Sequence, residues 1–254
     1  MKVNLLSDLH TEFWDEQAVD PGEGEVLILA GDIGLAVTLK SVTGRQYREF
    51  IKTAAKGYDK VFYVLGNHEH YEHTFEETVK DIRRFVPDNV SVLNNSSEFY
   101  GGVHFVGATM WTDFDKENIK AMKTAEECMN DYQCIVSDGH QLTPQHTLWE
   151  HNNTIGWFNQ VLPNLRGDVV MVTHHAPSIQ SIKGRYNREE TKHAYHTDLT
   201  SLITKHPNIK FWCHGHTHVQ NCYKVQQCLV LSNPFGYDKY ELNREFNPFM
   251  HFEL

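Results

Sequence analysis

The chain has 254 residues, 33 acidic and 23 basic side chains and a formal net charge of −10. It can bury a core without staples, and its acidic balance argues against sequence-independent binding to nucleic-acid phosphates. No apolar run approaches a membrane span, and the short apolar start before Asp8 is too brief for a signal peptide. Five cysteines (Cys128, Cys134, Cys213, Cys222, Cys228) form no CxxC pair. They suit free buried thiols in a reducing, cytoplasmic setting better than a disulfide framework or a zinc–thiolate site. Histidine, with 17 copies, is the outlier, and its placement matters more than its number.

Residues 3–7 read as a short strand ending at Asp8-Leu9-His10. Residues 26–30 form a continuous apolar run, as expected of a strand buried on both faces, and it ends at Gly31-Asp32. A helix is expected within 37–58, weakened by Gly44. Residues 61–65 (VFYVL) form the next buried strand and run straight into Gly66-Asn67-His68-Glu69. The glycine permits a tight turn, and three polar side chains follow at the carboxyl end of the strand, where open α/β sheets bind ligands. Thr74 with Glu77 resembles a capping box, and Phe75, Val79, Ile82 and Val86 recur at helical spacing.

Strands are expected at 90–93, 98–100 and 103–108, with Gly101-Gly102 as a hairpin turn. Residues 111–166 read as an insertion over the site, a partial cap within one domain spanning 1–254. The insertion is helical around 116–128, and a second helix follows the Thr143-Pro144 start. Residues 169–172 are a buried strand ending at Thr173-His174-His175-Ala176-Pro177. A polar loop covers 178–196, a helix 198–205, and a strand at 209–213 ends at His214-Gly215-His216-Thr217-His218. Further strands are expected at 219–225, 228–231 and 249–254.

Five strands thus end in Asp, His or Asn. In extended backbone, residues i and i+2 point to the same side, so Asp8 and His10 can converge on one ion, and His216 and His218 can face one cavity. Carboxylate, imidazole and amide-oxygen donors suit manganese, iron or zinc, with no thiolate at these positions. A central carboxylate can bridge two ions about 3.5–4 Å apart, the spacing of two-metal hydrolytic sites.

Each element alone is weak evidence. Together and in order, DLH, GD, GNHE, THHAP and GHTH resemble the calcineurin-like metallophosphoesterase superfamily across nearly the whole chain. The resemblance is strongest to bacterial and phage members with MNDY (129–132), THHAPS (173–178) and NPFGY (233–237). It implies an α/β, two-sheet sandwich flanked by helices with a dinuclear site at one edge. It assigns Asp8, His10 and His218 to one ion and Asn67, His174 and His216 to the other, with Asp32 bridging. His68 matches the histidine that meets the phosphate and protonates the leaving group. Two divalent ions are implied, manganese first, with iron, zinc or nickel as alternatives. The implied chemistry is attack on phosphorus by a metal-bridging hydroxide.

Other histidines carry weaker expectations. His175 and His214 read as supporting residues rather than ligands, His70 and His73 as part of a solvated helix start, and the rest as surface residues. Glu69 is expected to help set its loop. Lys183, Arg185, Arg188 and Lys192, set against Glu189 and Glu190, form a basic loop that could recruit an anionic ester. Trp111, Phe114, Tyr132, Trp149 and Trp157 could wall the site, although such aromatics are more often core.

In the superfamily's protein phosphatases GD continues as GDxxDRG, supplying an Asp that orients the acid histidine and an Arg that grips phosphate. Here the run is Gly31-Asp32-Ile33-Gly34-Leu35-Ala36, so a phosphoprotein phosphatase is not expected and the orienter of His68 is unassigned. His68 itself separates the chain from the lipid-A-pathway pyrophosphatases, which carry arginine there. The expected function is a metal-dependent phosphoesterase acting on a small anionic ester, a phosphodiester in preference to a monoester, with no membrane partner. The alternatives are a nuclease acting on DNA or RNA, and a scaffold that keeps the fold without catalysis.

Overall fold

Residues 26–30 are apolar without a break because their strand is covered on both sides. Leu27 and Leu29 pack with Tyr47, Phe50 and Ile82, while Val26, Ile28 and Ala30 pack with Phe105, Val170 and Val172. The computed structural model describes residues 1–16, 18–188 and 190–254, with Arg185 described by its backbone alone. In chain order the strands begin with β1 (Lys2–Leu6), β2 (Gly24–Ala30), β3 (Tyr58–Val64), β4 (Val90–Val92), β5 (Ser96–Tyr100) and β6 (Val103–Ala108). A short hairpin, β7 (Val136–Ser137) with β8 (His140–Gln141), precedes β9 (Val169–Thr173), β10 (Ile209–His214), β11 (Asn221–Val225) and β12 (Cys228–Ser232). A second small hairpin, β13 (Gly236–Tyr237) with β14 (Glu241–Leu242), leads to β15 (His251–Glu253).

The first sheet runs β15-β1-β2-β3-β4, and the second β11-β12-β10-β9-β6-β5. Within each, the central strands are parallel and edges such as β15, β11 and β5 are antiparallel. The helices are α1 (Arg45–Gly57), α2 (Phe75–Phe85), α3 (Phe114–Glu117), α4 (Ile119–Cys128), α5 (Asp131–Cys134), α6 (Pro144–Val161) and α7 (Thr200–Lys205). Residues of α1 and α2 close the outer face of the first sheet, and residues of α6 and α7 that of the second. The result is the two-sheet α/β sandwich flanked by helices that the motif order implied.

Three local expectations change. Residues 37–58 are not one helix: a 3-10 turn at Ala36–Lys40 precedes α1, and Gly44 marks the break. Thr74 caps α2 through its backbone carbonyl, which accepts from Glu77, and its hydroxyl makes no cap. Regular helix in the insertion starts only at Ile119, because Asp115 and Lys116 sit in the left-handed region. The Asn118 side chain then accepts from the amides of Lys120 and Ala121. Thr143 caps α6 as expected, its hydroxyl accepting from the His146 amide at 3.3 Å. The insertion packs its own cluster, Trp111, Phe114, Met122, Tyr132 and Leu142, which also takes in Tyr71 and Ala194. No helix among the described residues is long and apolar enough to cross a membrane.

Candidate metal centre

The parallel strands β1, β2, β3, β9 and β10 all release their chain at the same edge. Asp8, His10, Asp32, Asn67, His68, His174, His216 and His218 are all buried there. They form three overlapping groups of donor atoms, each within 4.8 Å: Asp8, His10 and His218; His10, Asp32 and His68; Asp32, His174 and His216. The convergence does not come from strand parity. Asp8, His10, Asp32, His216 and His218 have φ of 53°, 48°, 55°, 69° and 44°, all left-handed rather than extended. Asp, Asn and His are enriched in that region relative to other non-glycine residues, and such backbone costs roughly 1–3 kcal/mol per residue, concentrated at functional sites.

Two glycines keep the loops close. A Cβ on Gly31 would lie 2.4 Å from Nδ1 of His174, and one on Gly66 would lie 2.0 Å from Oδ1 of Asp32. Glu69 ties the same two loops together. Its carboxylate accepts from the amides of Asp32 (3.0 Å), Ile33 (2.7 Å) and Gly66 (2.7 Å) and from the Tyr63 hydroxyl (2.6 Å). The loop-setting role expected of Glu69 is its observed one.

Hydrogen bonds behind the donors fix which atoms face the centre. His174 donates from Nδ1 to the Ala30 carbonyl at 2.9 Å. Its Nε2 then faces Asn67 Oδ1 at 3.0 Å and Asp32 Oδ2 at 3.3 Å. Those three atoms all present lone pairs when His174 is neutral, so a proton or a metal cation must lie among them. Burial alone would lower the His174 pKa, but the Asp32 charge outweighs it and drives the imidazole up to about 10. That is the field a divalent cation would occupy. His10 Nε2 and His218 Nε2 likewise face each other at 3.0 Å. Oδ2 of Asp8 and Nε2 of His216 are buried without a hydrogen-bond partner. This donor set of imidazole, carboxylate and amide oxygen fits divalent transition metals.

The partner of His68 is Glu12, on the 3-10 turn (Thr11–Phe13) that follows Asp8-Leu9-His10. Its Oε1 lies 2.9 Å from His68 Nδ1 and 3.3 Å from His10 Nδ1. Both rings therefore point Nε2 into the site. Burial would raise the Glu12 carboxyl, but its bonds to His10 and His68 hold it at about 2. Burial would lower His68, but the charge of Asp32 and the bond to Glu12 push it up to about 9. Asp32 also accepts the His68 backbone amide at 2.9 Å. Burial opposes its charge, while His174 and His68 hold its carboxyl well below the usual range.

The MNDY segment supplies a second support. Asp131 accepts from Asn67 Nδ2 at 2.8 Å and from the Tyr71 hydroxyl at 2.7 Å. With its amide nitrogen held there, Asn67 turns its oxygen to His174. Tyr71 also stacks on the His68 ring at 4.2 Å between centroids. The NPFGY segment runs along the end of β1, with the amides of Phe235 and Gly236 donating to the carbonyls of Ser7 and Asp8. It delivers the Tyr237 hydroxyl to 3.3 Å from His68 Nε2.

Several expectations fail here. His70 is buried rather than solvated, while His73 is partly exposed beside Asp81. His151, His196 and His206 are buried too, His151 against the Trp111 carbonyl. His175 and His214 hold the supporting places expected of them: the His175 ring packs 4.3 Å from that of His216 with Nδ1 3.3 Å from the Thr109 carbonyl, and His214 Nε2 lies 2.8 Å from the Ser181 hydroxyl. Trp111, Phe114 and Tyr132 are core, Trp157 packs on another cluster, and Trp149 is exposed. The walls are tyrosines instead. A cavity of about 130 Å³ over Asp32, Asn67 and His68 is lined by Tyr71, Tyr186, Tyr195 and Tyr237. Lys183 turns away toward the Gln220 carbonyl, and Glu189 and the Arg185 side chain lie outside the described residues. A separate cavity of about 320 Å³ behind His70 touches none of the donor residues.

Comparison with known proteins gives a consistent family signal. The profile described as calcineurin-like phosphoesterase matches residues 1–220. An uncharacterized protein, L509 of Acanthamoeba polyphaga mimivirus, is 26% identical over 284 residues, covering 99% of this chain and 96% of that one. Among solved structures, the phosphopantetheinyl hydrolase PptH of Mycobacterium tuberculosis superposes with a TM-score of 0.72 at 17% identity, over 93% of this chain and 89% of that one. TT1561 of Thermus thermophilus gives 0.51 at 12% identity, over 92% and 88%. At these identities the two structures share the fold.

Proposed function

This chain belongs to the calcineurin-like phosphoesterase family, and from that premise we propose that it hydrolyses a small anionic phosphoester at the buried Asp/His/Asn centre. One observation carries the reading: Asp32 belongs to two of the three donor groups, between the Asp8/His10/His218 side and the His174/His216 side. Asp8, His10 and His218 would hold one divalent ion, Asn67, His174 and His216 a second, and Asp32 both. Manganese is our first choice for oxygen- and nitrogen-rich donors. When bound, two such ions polarise the phosphoryl oxygens and lower the pKa of water.

The chain's own residues do the rest. His68 holds a proton on Nε2, facing the cavity, for the departing oxygen, and Glu12 keeps the ring in that orientation. The tyrosine walls restrict water and shape the opening. We favour a phosphodiester over a monoester, because His68 is in place while no arginine follows Asp32 to grip a dianionic phosphate. The small cavity and the net acidic charge support a small ester over a nucleic-acid duplex. Five free cysteines support a reducing, cytoplasmic setting. The Mycobacterium neighbour's name concerns phosphopantetheinyl groups, and at 17% identity it lends this chain no substrate.

The test is turnover by manganese-loaded protein of bis(p-nitrophenyl) phosphate against p-nitrophenyl phosphate. Faster cleavage of the diester is expected. Much faster cleavage of the monoester would reverse the preference, and cleavage of neither ester or of oligonucleotides would favour a non-catalytic scaffold.

A further inference from the structure

The cavity over His68 has a neighbour. A second space of about 320 Å³ is lined by Cys128, Met129, Tyr186, Arg188, Thr191 and Tyr195. Four of these, Cys128, Met129, Tyr186 and Tyr195, also line the inner cavity of about 130 Å³. The two therefore adjoin as one cleft. Small-ligand pockets run to about 300–1,000 Å³; the inner space falls below that range and the outer one reaches it. A scissile phosphoryl group can sit inside, and a group esterified to it can extend into the adjoining outer space.

The outer space has its own chemistry. Tyr186 and Tyr195 meet edge to face, 5.0 Å between centroids, and with Met129 make an apolar collar. Beyond the collar stands Arg188, whose carbonyl accepts from the Lys192 amide and the Thr191 hydroxyl. Its guanidinium is exposed and pairs with no carboxylate among the described residues. The nearby Glu190 is taken up by Lys120 at 3.0 Å. Among the described residues no Asp or Glu lines this space, although the chain as a whole carries −10. A guanidinium with no carboxylate partner among the described residues, standing at the end of a cleft, is a fork for a carboxylate or phosphate.

We propose that the outer compartment receives the second substituent of the substrate, and that this substituent carries a further oxyanion bound by Arg188. The proposal rests on the phosphoester reading above and adds the class of substrate: an ester with a second negative charge beyond the scissile phosphate.

The test measures binding by calorimetry to manganese-loaded protein, with three probes of equal chain length: hexylphosphonate, 6-phosphonohexanoate and hexane-1,6-bisphosphonate. Wild type should bind the two charged-tail probes about tenfold tighter than hexylphosphonate, as one charge-assisted contact provides. The order of the two distinguishes carboxylate from phosphate. Arg188→Ala should bring the ratio near one, and Arg188→Lys should leave an intermediate value. Equal binding of all three probes by wild type overturns the subsite and leaves the phosphoester reading standing. A tenfold preference that survives Arg188→Ala overturns the assignment to Arg188. If none of the probes binds, the phosphoester reading falls and this proposal with it.

Discussion

Oε1 of Glu12 lies 2.9 Å from Nδ1 of His68 and 3.3 Å from Nδ1 of His10. One partly buried carboxylate thus sets the ring of the proposed leaving-group acid and the ring of a proposed metal ligand. A neutral imidazole has one N–H and one lone pair, so donating Nδ1–H to Glu12 leaves Nε2 of His10 free to ligate. On a protonated His68 the same bond leaves Nε2–H aimed into the cavity. The orienting carboxylate absent from the stretch after Asp32 is supplied four residues after Asp8.

Glu12→Gln tests this role. The amide keeps the shape and removes the charge that favours protonated His68. With an aryl leaving group, which departs without a proton, the loss in kcat should be small, about threefold. With an alkyl leaving group it should reach about 10²-fold, the lower end of general-acid contributions. Equal loss on both esters would mean that Glu12 serves folding or metal retention instead.

The same pair predicts a pH dependence for metal-free protein. The pKa of His68, about 9, lies above the ordinary 6.5. Its contribution is fully present below pH 6.5 and lost as pH rises through 9. The size is at most about 3 kcal/mol. Thermal melts of apo protein should therefore fall as pH rises from 6.5, and His68→Gln should make that slope shallower while leaving the part due to His174, which is driven up to about 10. Parallel slopes in the two proteins would assign the pH dependence to other groups.

Much of this centre is legible in sequence because its parts follow long apolar runs. A buried parallel strand reads as VLILA or VFYVL, and the residue after it has little choice but to face the sheet edge. Glu12 is harder to see. It follows no strand, and an acidic residue two places after a ligand histidine looks like a solvated turn. The left-handed backbone at Asp8, Asp32 and His216 is also hidden, since it is set by contacts between loops distant in sequence. Buried histidines such as His151 depend on a single tertiary acceptor, here the Trp111 carbonyl, which no periodicity announces. Tyr186 and Tyr195 lie in the loop whose basic residues drew attention, while the cavity wall is built from its aromatics.

Asp131 should matter to metal affinity without touching a metal. It holds the Asn67 amide nitrogen at 2.8 Å, so the oxygen faces His174. In Asp131→Ala the amide is free to rotate, and loss of such supports typically costs 10–100-fold in affinity. Manganese titration should show that loss, with Asp131→Asn intermediate. Unchanged affinity in Asp131→Ala would show that Tyr71 alone fixes the amide.

Ligand and acid roles separate by metal analysis. Asp32→Asn and His216→Ala should each lower metal content together with activity. His68→Ala should keep both ions and lose turnover. A His68→Ala protein purified without metal would move His68 into the ligand set.

Glu69 carries the last prediction, about the frame rather than the chemistry. Its carboxylate is fully buried and accepts four hydrogen bonds, three from the amides that start the loops after β2 and β3 and one from Tyr63. A glutamine there has one oxygen and turns an NH₂ toward donors, so at least one buried amide loses its partner. Each such loss costs about 1–3 kcal/mol, and in a chain this size each 1 kcal/mol lowers Tm by about 2–4 °C. Glu69→Gln should therefore melt roughly 2–12 °C lower. It should also bind manganese more weakly, because Asp32 and Asn67 sit on the loops it joins. Glu69→Asp, which keeps the charge but falls short, should lose stability as well. A Glu69→Gln protein with wild-type melting would mean that the two glycines, packed against His174 and Asp32, hold the loops by themselves.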